Sequence, residues 1–148
     1  MSYTHTTHHH HSLQDLGGIS EYLDSYSQHA HWLLRISLAS VFLFHGIAKF
    51  TNLGGFAGMM ELSINIAFLV ALAEVAGGIL ILLGGGMHDW MTRLGGALIV
   101  PVMLGAISMV HWGRWNFVPA ENYPMGGMEF QVVLLLIALY FVIRGNKA

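Results

Sequence analysis

The sequence predicts an all-α integral membrane protein that crosses the bilayer as a bundle of four helices. Its composition is 55% hydrophobic but only 9% charged, whereas soluble domains carry about 25% charged residues. Four apolar segments lie between residues 32 and 143, each close to the ~20 residues that cross a bilayer. Strands are disfavoured, because these segments lack alternating polarity. The predicted helices cover about 32–50, 64–87, 90–110 and 125–143.

Charge and cysteine content exclude several classes of function. The formal net charge is −2 and there is no basic patch, so nucleic acid is not a predicted partner. The chain has no cysteine, which excludes disulfides, thiolate metal sites and thiol redox chemistry. The low charged fraction and high hydrophobic content instead predict membrane lipids as partners.

Residues 1–31 form a polar, His-rich extension before the transmembrane domain of 32–148. They lack Lys, Arg and a long apolar run, so no secretory signal is predicted. The His run at 8–11, with His5, binds a metal weakly or is a tag remnant, and it plays no part in the functional argument. Apolar residues at helical spacing predict an interfacial amphipathic helix at 19–29, with a disordered tail as the alternative. These apolar residues are Ile19, Tyr22, Leu23 and Tyr26.

The distribution of Lys and Arg predicts that both termini lie in the cytoplasm. Four basic residues fall on the side of the termini and two on the opposite side, and positive charge favours the cytoplasmic side. The first group is Arg35, Arg93, Arg144 and Lys147, and the second is Lys49 and Arg114.

Small residues in the second and third segments predict close helix packing. Ala73 and Gly77 form a small-xxx-small pair, and Gly78 and Gly96 extend the pattern. Pro101 lies in the middle of the third segment, where it frees a carbonyl and is expected to kink the helix.

Ionisable residues at membrane depth are the candidate site. Glu74 lies near the bilayer midplane, where a charge normally faces protein and finds a partner. His45 is the favoured partner, because its depth counted from the outer face is nearer to that of Glu74. Lys49, four residues away on the same helix face, tunes it. His111 and Glu129 complete the cluster in the outer half of the bundle, the half away from the termini. Three interpretations stay open: a purely structural pairing, a ligand or proton site, and side chains that reach the headgroups.

No metal site is predicted in this cluster. His45, His111, Glu74 and Glu129 are competent ligands for zinc or iron. However, no helix carries a local ligand motif, and Lys49 would oppose a cation.

Two motifs make the chain resemble the DoxX family over about residues 33–144. The first is Phe44-His45-Gly46-Ile47-Ala48-Lys49-Phe50, preceded by Leu34-Arg35. The second is Ala73-Glu74-Val75-Ala76-Gly77-Gly78, followed by Leu82-Leu83-Gly84. His111 and Glu129 are similarly placed. The His-rich extension and the Trp-rich stretch 111–117 depart from the usual short form, which leaves room for a role peculiar to this protein.

The resemblance implies a small four-helix protein of the bacterial inner membrane, in a family associated with thiosulfate:quinone oxidoreduction and oxidative-stress complexes. The preferred hypothesis is a non-catalytic accessory subunit of a larger membrane complex, respiratory or redox in type, or a homo-oligomer, without activity of its own. The alternative is a quinone-interacting redox subunit that uses the Glu/His/Lys cluster. A small transporter or channel is a third hypothesis. No cofactor is evident, although a quinone or lipid fits the resemblance.

Overall fold

The computed structural model describes residues 17–147, so the His run lies outside the described residues. Within this range the regular elements are helices, and the β-type pairing is an isolated bridge between Ala120 and Tyr123. The helices of the transmembrane unit are α1 (His31–Thr51), α2 (Leu53–Met59), α3 (Ile64–Gly86), α4 (Asp89–Ala106) with a π-helical continuation (Ile107–His111), and α5 (Glu129–Arg144).

The N-terminal residues form a compact unit distinct from the one that begins at Trp32. Residues 17–24 are helical, and a 3₁₀ turn follows at Ser27–His29. The helix therefore ends earlier than the predicted 19–29 segment. Its apolar side chains are exposed, and its position at the membrane interface stays a prediction.

Three helical stretches are long and apolar enough to cross a membrane: Ser27–Thr51, Ile64–Gly86 and Asp89–His111. The prediction of an all-helical, membrane-spanning fold is thus confirmed, but the fourth span is not. α5 has 16 residues, about 24 Å of helix, against a hydrocarbon thickness of about 30 Å.

The fourth helix is shorter than predicted because residues 125–128 belong to the preceding loop. Gly126 has a φ of 78°, a conformation that favours glycine and is incompatible with a helix. The amides of Gly127 and Met128 donate to loop carbonyls of Asn116 and Arg114, at 2.8 Å each. These bonds tie the segment to the loop, so the helix begins at Glu129.

The connection between the first two spans contains a short helix that the sequence analysis did not predict. The sequence favours a loop at 51–63 because of Gly54, Gly55 and Gly58, yet α2 forms within this range. The Asn52 side chain caps this helix, because its Oδ1 accepts from the Gly55 amide at 3.2 Å.

Glycines mark the places where the long helices come closest. A Cβ on Gly77 would lie 2.8 Å from Ile99 Cγ1, across the α3–α4 contact. A Cβ on Gly78 would lie 2.9 Å from Leu43 Cγ, across the α1–α3 contact. Both helix pairs are antiparallel, and only small residues allow this approach.

α5 completes the bundle by packing against α4 and α1. A Cβ on Gly96 of α4 would lie 2.7 Å from the Ala138 carbonyl of α5. The Arg35 guanidinium of α1 lies 4.8 Å from the centroid of the Phe141 ring of α5. Ala73, another predicted packing residue, is partly buried. α4 continues as a helix through Pro101. An apolar layer fills the middle of the bundle: Leu38, Ala39, Phe42, Ile81, Ile99, Met103, Leu134, Ala138 and Phe141.

A polar network holds the end of the bundle where α1 begins and α5 ends. Arg35 is fully buried, and its Nη1 donates to Ile81 O at 2.7 Å and to Thr92 Oγ1 at 2.8 Å. Its Nη2 donates to Asn146 Oδ1 at 2.9 Å. Asn146 in turn donates through Nδ2 to Gly84 O at 2.7 Å. The residues after α5 are thereby tied to α1, α3 and α4.

Candidate functional site

A cavity of about 660 Å³ occupies the outer half of the bundle. All five helices of the transmembrane unit contribute to its walls, which are mainly apolar. Its volume falls within the range of about 300–1,000 Å³ typical of small-molecule sites. Its polar and ionisable lining side chains are His45, Lys49, Asn52, Glu74, His111 and Gln131.

An ion pair joins α1 and α3 at the cavity wall. Glu74 is only 3% exposed, and Lys49 Nζ donates to its two carboxylate oxygens at 2.7 and 3.0 Å. Lys49 Nζ also lies 5.1 Å from the centroid of the Phe56 ring of α2. A buried carboxylate needs such a partner, because an uncompensated charge there is strongly unfavourable.

Lys49 rather than His45 is the direct partner of Glu74, which corrects the preference drawn from the sequence. His45 is exposed and its ring meets Phe44 edge to face, with centroids 5.4 Å apart. Counted by helix position alone, His45 is nearer in depth to Glu74 than Lys49 is. The long flexible stem of lysine outweighs that difference, since it carries the ammonium inward along the helix.

Gly46 brings the two helices together beside this pair. A Cβ on Gly46 would lie 2.8 Å from Val75 Cγ2 and 3.1 Å from the Val75 amide nitrogen. A larger residue would therefore push α1 and α3 apart next to Glu74. The predicted packing residues did not include Gly46, although it lies at helical spacing from Phe42 and Lys49.

His111 and Gln131 form a second polar pair on the cavity wall. His111 is 6% exposed and closes the π-helical turn after α4, a distortion often found at functional sites. Its Nδ1 lies 2.9 Å from the Gly126 carbonyl oxygen, and its Nε2 lies 3.0 Å from Gln131 Nε2. Because a carbonyl can only accept, Nδ1 carries the hydrogen and donates to Gly126.

Glu129 does not line the cavity, although the sequence analysis placed it in the polar cluster. It is the first residue of α5, and its carboxylate accepts from the Phe117 amide at 3.3 Å. Its own amide donates to the Trp115 carbonyl at 2.9 Å. The late start of α5 therefore commits Glu129 to the outer loop, while His45, Lys49, Glu74 and His111 share the cavity.

Gln131 and Asn52 are polar cavity residues that were not predicted from the sequence. A signal was available for Gln131, because an amide in the otherwise apolar segment 125–143 needs hydrogen-bond partners at membrane depth. Among the described residues, no group of three or more His, Asp or Glu side chains is placed to hold a metal ion.

Methionines supply much of the apolar wall. Thioether side chains are flexible and polarizable, so they adapt to ligands of varied shape. They come from α2 and its C-cap, α4, the π-helical turn and the outer loop: Met59, Met60, Met103, Met109 and Met125.

Comparison with known proteins identifies the family. The DoxX family model matches residues 30–112, which is more than half of the chain. The chain belongs to the DoxX family. The matched region of this DoxX protein contains the Lys49–Glu74 pair together with His45 and His111, whereas Gln131 and α5 lie beyond it.

One curated relative of this DoxX protein is from Bacillus subtilis (strain 168) and is named "Putative oxidoreductase CatD". The two chains are 30% identical over 118 residues, which cover 78% of each. No solved structure gives a significant match.

Proposed function

We propose that this DoxX protein is the quinone-binding membrane subunit of a larger redox complex. The observation that carries the proposal is the cavity itself, which combines a wide apolar wall with a buried ion pair and a His–Gln pair. The oxidoreductase name of the Bacillus subtilis relative agrees with it. Electrons come from a partner protein, because the chain has no cysteine for thiol chemistry.

The lining fits the chemistry of a quinone. The ligand has a flat apolar ring, for which the methionines and Phe56 supply an adaptable surface. Its two ring oxygens need hydrogen-bond partners in a medium without water. Lys49 supplies a donor at the α1 wall, and Glu74 supplies a carboxylate that can exchange a proton with the bound ring.

The setting of this subunit is the bacterial inner membrane, with four spans and both termini in the cytoplasm. The excess of Lys and Arg on the side of the termini supports the orientation. The apolar sequence of α5 and its packing against α4 support its role as the fourth span. A helix of about 24 Å spans when the local bilayer thins or flanking side chains reach the interface.

Ligand binding tests the proposal directly. The purified protein, in nanodiscs of quinone-free lipid, is titrated with decyl-benzoquinone and binding is followed by calorimetry. We expect saturable binding that the double variant Lys49→Met/Glu74→Gln weakens at least about tenfold. A matched control, Lys147→Met/Glu121→Gln, makes the same two changes at exposed positions and keeps the affinity. Absence of saturable binding to the wild type contradicts the proposal.

The second candidate function is a non-catalytic accessory subunit, without activity of its own, in such a complex. It is favoured by the outer loop, where Trp112, Trp115 and Phe117 are 69%, 56% and 60% exposed. Aromatic side chains of this kind are enriched at protein interfaces. Stable co-purification with larger subunits from native membranes, combined with no quinone binding, favours this candidate over the first. Recovery of a homo-oligomer favours self-association instead.

A further inference from the structure

We propose that Met59 and Met125 are oxidation sites, and that a hydroperoxide which converts them to sulfoxides weakens ligand binding in the cavity. The effect on binding rests on the proposed quinone-binding function, whereas the oxidation itself does not. Thioethers are the only sulfur groups of the chain, because it has nine methionines and no cysteine. Oxidation at sulfur is therefore confined to methionine.

Met59 and Met125 are accessible and lie outside the membrane-spanning stretches. Met59 ends α2 and is 59% exposed, and Met125 lies in the outer loop and is 52% exposed. Neither belongs to α5 or to one of the three helical stretches long and apolar enough to cross a membrane. Met109 is also exposed, but it belongs to the third of these stretches. An oxidant in the aqueous phase at the outer face therefore reaches Met59 and Met125 first.

The same two side chains stand between two cavities. A second cavity of about 520 Å³ borders the first at the outer end of the bundle, and Met59 and Met125 line both. Its walls also include Glu61, Asn122 and Pro124, all of them exposed. The second cavity therefore gives a small polar oxidant a route from the outer surface to side chains that line the first.

The reaction is a two-electron oxidation at sulfur. The thioether attacks the terminal oxygen of the hydroperoxide, the O–O bond breaks, and that oxygen stays on sulfur as a sulfoxide. The other oxygen takes up the proton of the transferred one and leaves as water, or as an alcohol from an organic hydroperoxide. The sulfur loses two electrons and the peroxide gains them, so no further reactant is needed.

A sulfoxide changes the wall that a quinone ring contacts. It replaces a flexible apolar side chain by a polar one that carries a hydrogen-bond acceptor. A quinone ring has no donor for this oxygen, because its carbonyl oxygens only accept. Binding then removes the sulfoxide from water without pairing it, which lowers the affinity.

Met87 provides a matched control within the same chain. It is 59% exposed, as Met59 is, and it follows α3 outside the three spanning stretches. It lines neither of the two cavities. Its oxidation should therefore leave ligand binding unchanged.

The test combines oxidation with ligand binding. The protein in quinone-free nanodiscs is treated with hydrogen peroxide, catalase removes the excess, and decyl-benzoquinone is titrated by calorimetry. Peptide mass spectrometry locates the sulfoxides, which we expect at Met59, Met125 and Met87. The buried Met103, 6% exposed, should react more slowly. The affinity of the treated protein should fall about tenfold, and the two methionine sulfoxide reductases, one for each sulfoxide epimer, should restore it.

Leucine variants assign the effect to particular residues. Met59→Leu/Met125→Leu keeps apolar side chains of similar volume without an oxidisable sulfur, so its affinity before treatment should stay within about twofold of the wild type. Peroxide should not lower that affinity. Met87→Leu should lose affinity on treatment as the wild type does. If the double variant does not fold, the loss of affinity in the wild type over time should follow the sulfoxide fractions at Met59 and Met125 rather than at Met87.

Each outcome separates the inference from the function beneath it. Unchanged affinity in a wild type oxidised at Met59 and Met125 overturns the effect on binding and leaves the quinone-binding function standing. An equal loss of affinity in Met59→Leu/Met125→Leu assigns the effect to other residues and overturns the inference. Oxidation of Met87 alone contradicts the assignment of the two sites. If the untreated wild type binds no quinone, the proposed function fails, and the sulfoxide pattern still decides whether Met59 and Met125 are oxidation sites.

Discussion

Lys49 and Glu74 differ in how far each depends on the other. The side chain of Lys49 is 20% exposed, whereas that of Glu74 is 4% exposed. The ammonium can keep contact with its surroundings, but the carboxylate relies on Lys49 for its compensation. This asymmetry predicts unequal effects when either charge is removed.

Lys49→Met should therefore destabilise the protein by about 3–5 kcal/mol, because it leaves a buried carboxylate without its cation. Glu74→Gln should cost about 1–2 kcal/mol, since an amide can still accept from Lys49. The double variant Lys49→Met/Glu74→Gln should cost less than the sum of the two single changes. Unfolding midpoints in detergent measure all three, and simple additivity would show that the pair does not couple.

Other residues show how much of this site can be predicted from sequence patterns. Glu74 was identifiable because a carboxylate at midplane depth demands a partner. Arg35 was noted for its charge and in the family motif but not as a buried residue. Yet Arg35 lies on one helical stripe with Leu38, Phe42 and Gly46, all of them buried. Its burial could have been predicted by extending that stripe. The choice of Lys49 over His45 could not, because it depends on the path of a flexible side chain.

At the scale of helices, long apolar segments were predictable and short ones were not. The bounds of α1, α3 and α4 agree with the predicted segments within a few residues, because their composition leaves no alternative to helix in lipid. α2 was missed because its glycines weighed against helix, whereas the Asn52 cap stabilises it. The start of α5 was misplaced because backbone bonds of the outer loop hold the residues before Glu129.

The contact between α3 and α4 gives a prediction at this scale. Gly77→Leu should destabilise the protein by about 1–3 kcal/mol, because even its Cβ would lie 2.8 Å from Ile99 Cγ1 and 3.1 Å from the Gly95 carbonyl oxygen. Gly105→Leu is the control, since a Cβ there meets nothing within 4 Å. Thermal midpoints in detergent compare the two variants, and equal midpoints would argue against close packing at Gly77.

At the scale of the whole molecule, the number of spans decides where each loop lies. With four spans, Lys147 and the turn at His88 share one side and the outer loop at Glu121 lies on the other. With three spans, Lys147 lies on the same side of the membrane as Glu121. The absence of native cysteine makes single introduced cysteines unambiguous reporters.

Maleimide labelling of intact cells should distinguish three single-cysteine variants: Lys147→Cys, His88→Cys and Glu121→Cys. A membrane-impermeant maleimide is expected to label the residue-121 variant and to leave the other two unlabelled until the cells are opened. Labelling of Lys147→Cys in intact cells would place the C-terminus outside and rule out four spans with cytoplasmic termini. A periplasm-active reporter fused at the C-terminus should likewise stay silent.

The two polar networks of the bundle lie at opposite ends, and the apolar layer from Leu38 to Leu134 separates them. A proton exchanged in the cavity would therefore come from one aqueous phase only. If the electrons of the partner protein arrive from that same side, reduction of the bound quinone moves no net charge across the membrane. Its rate should then stay unchanged when an uncoupler collapses the membrane potential.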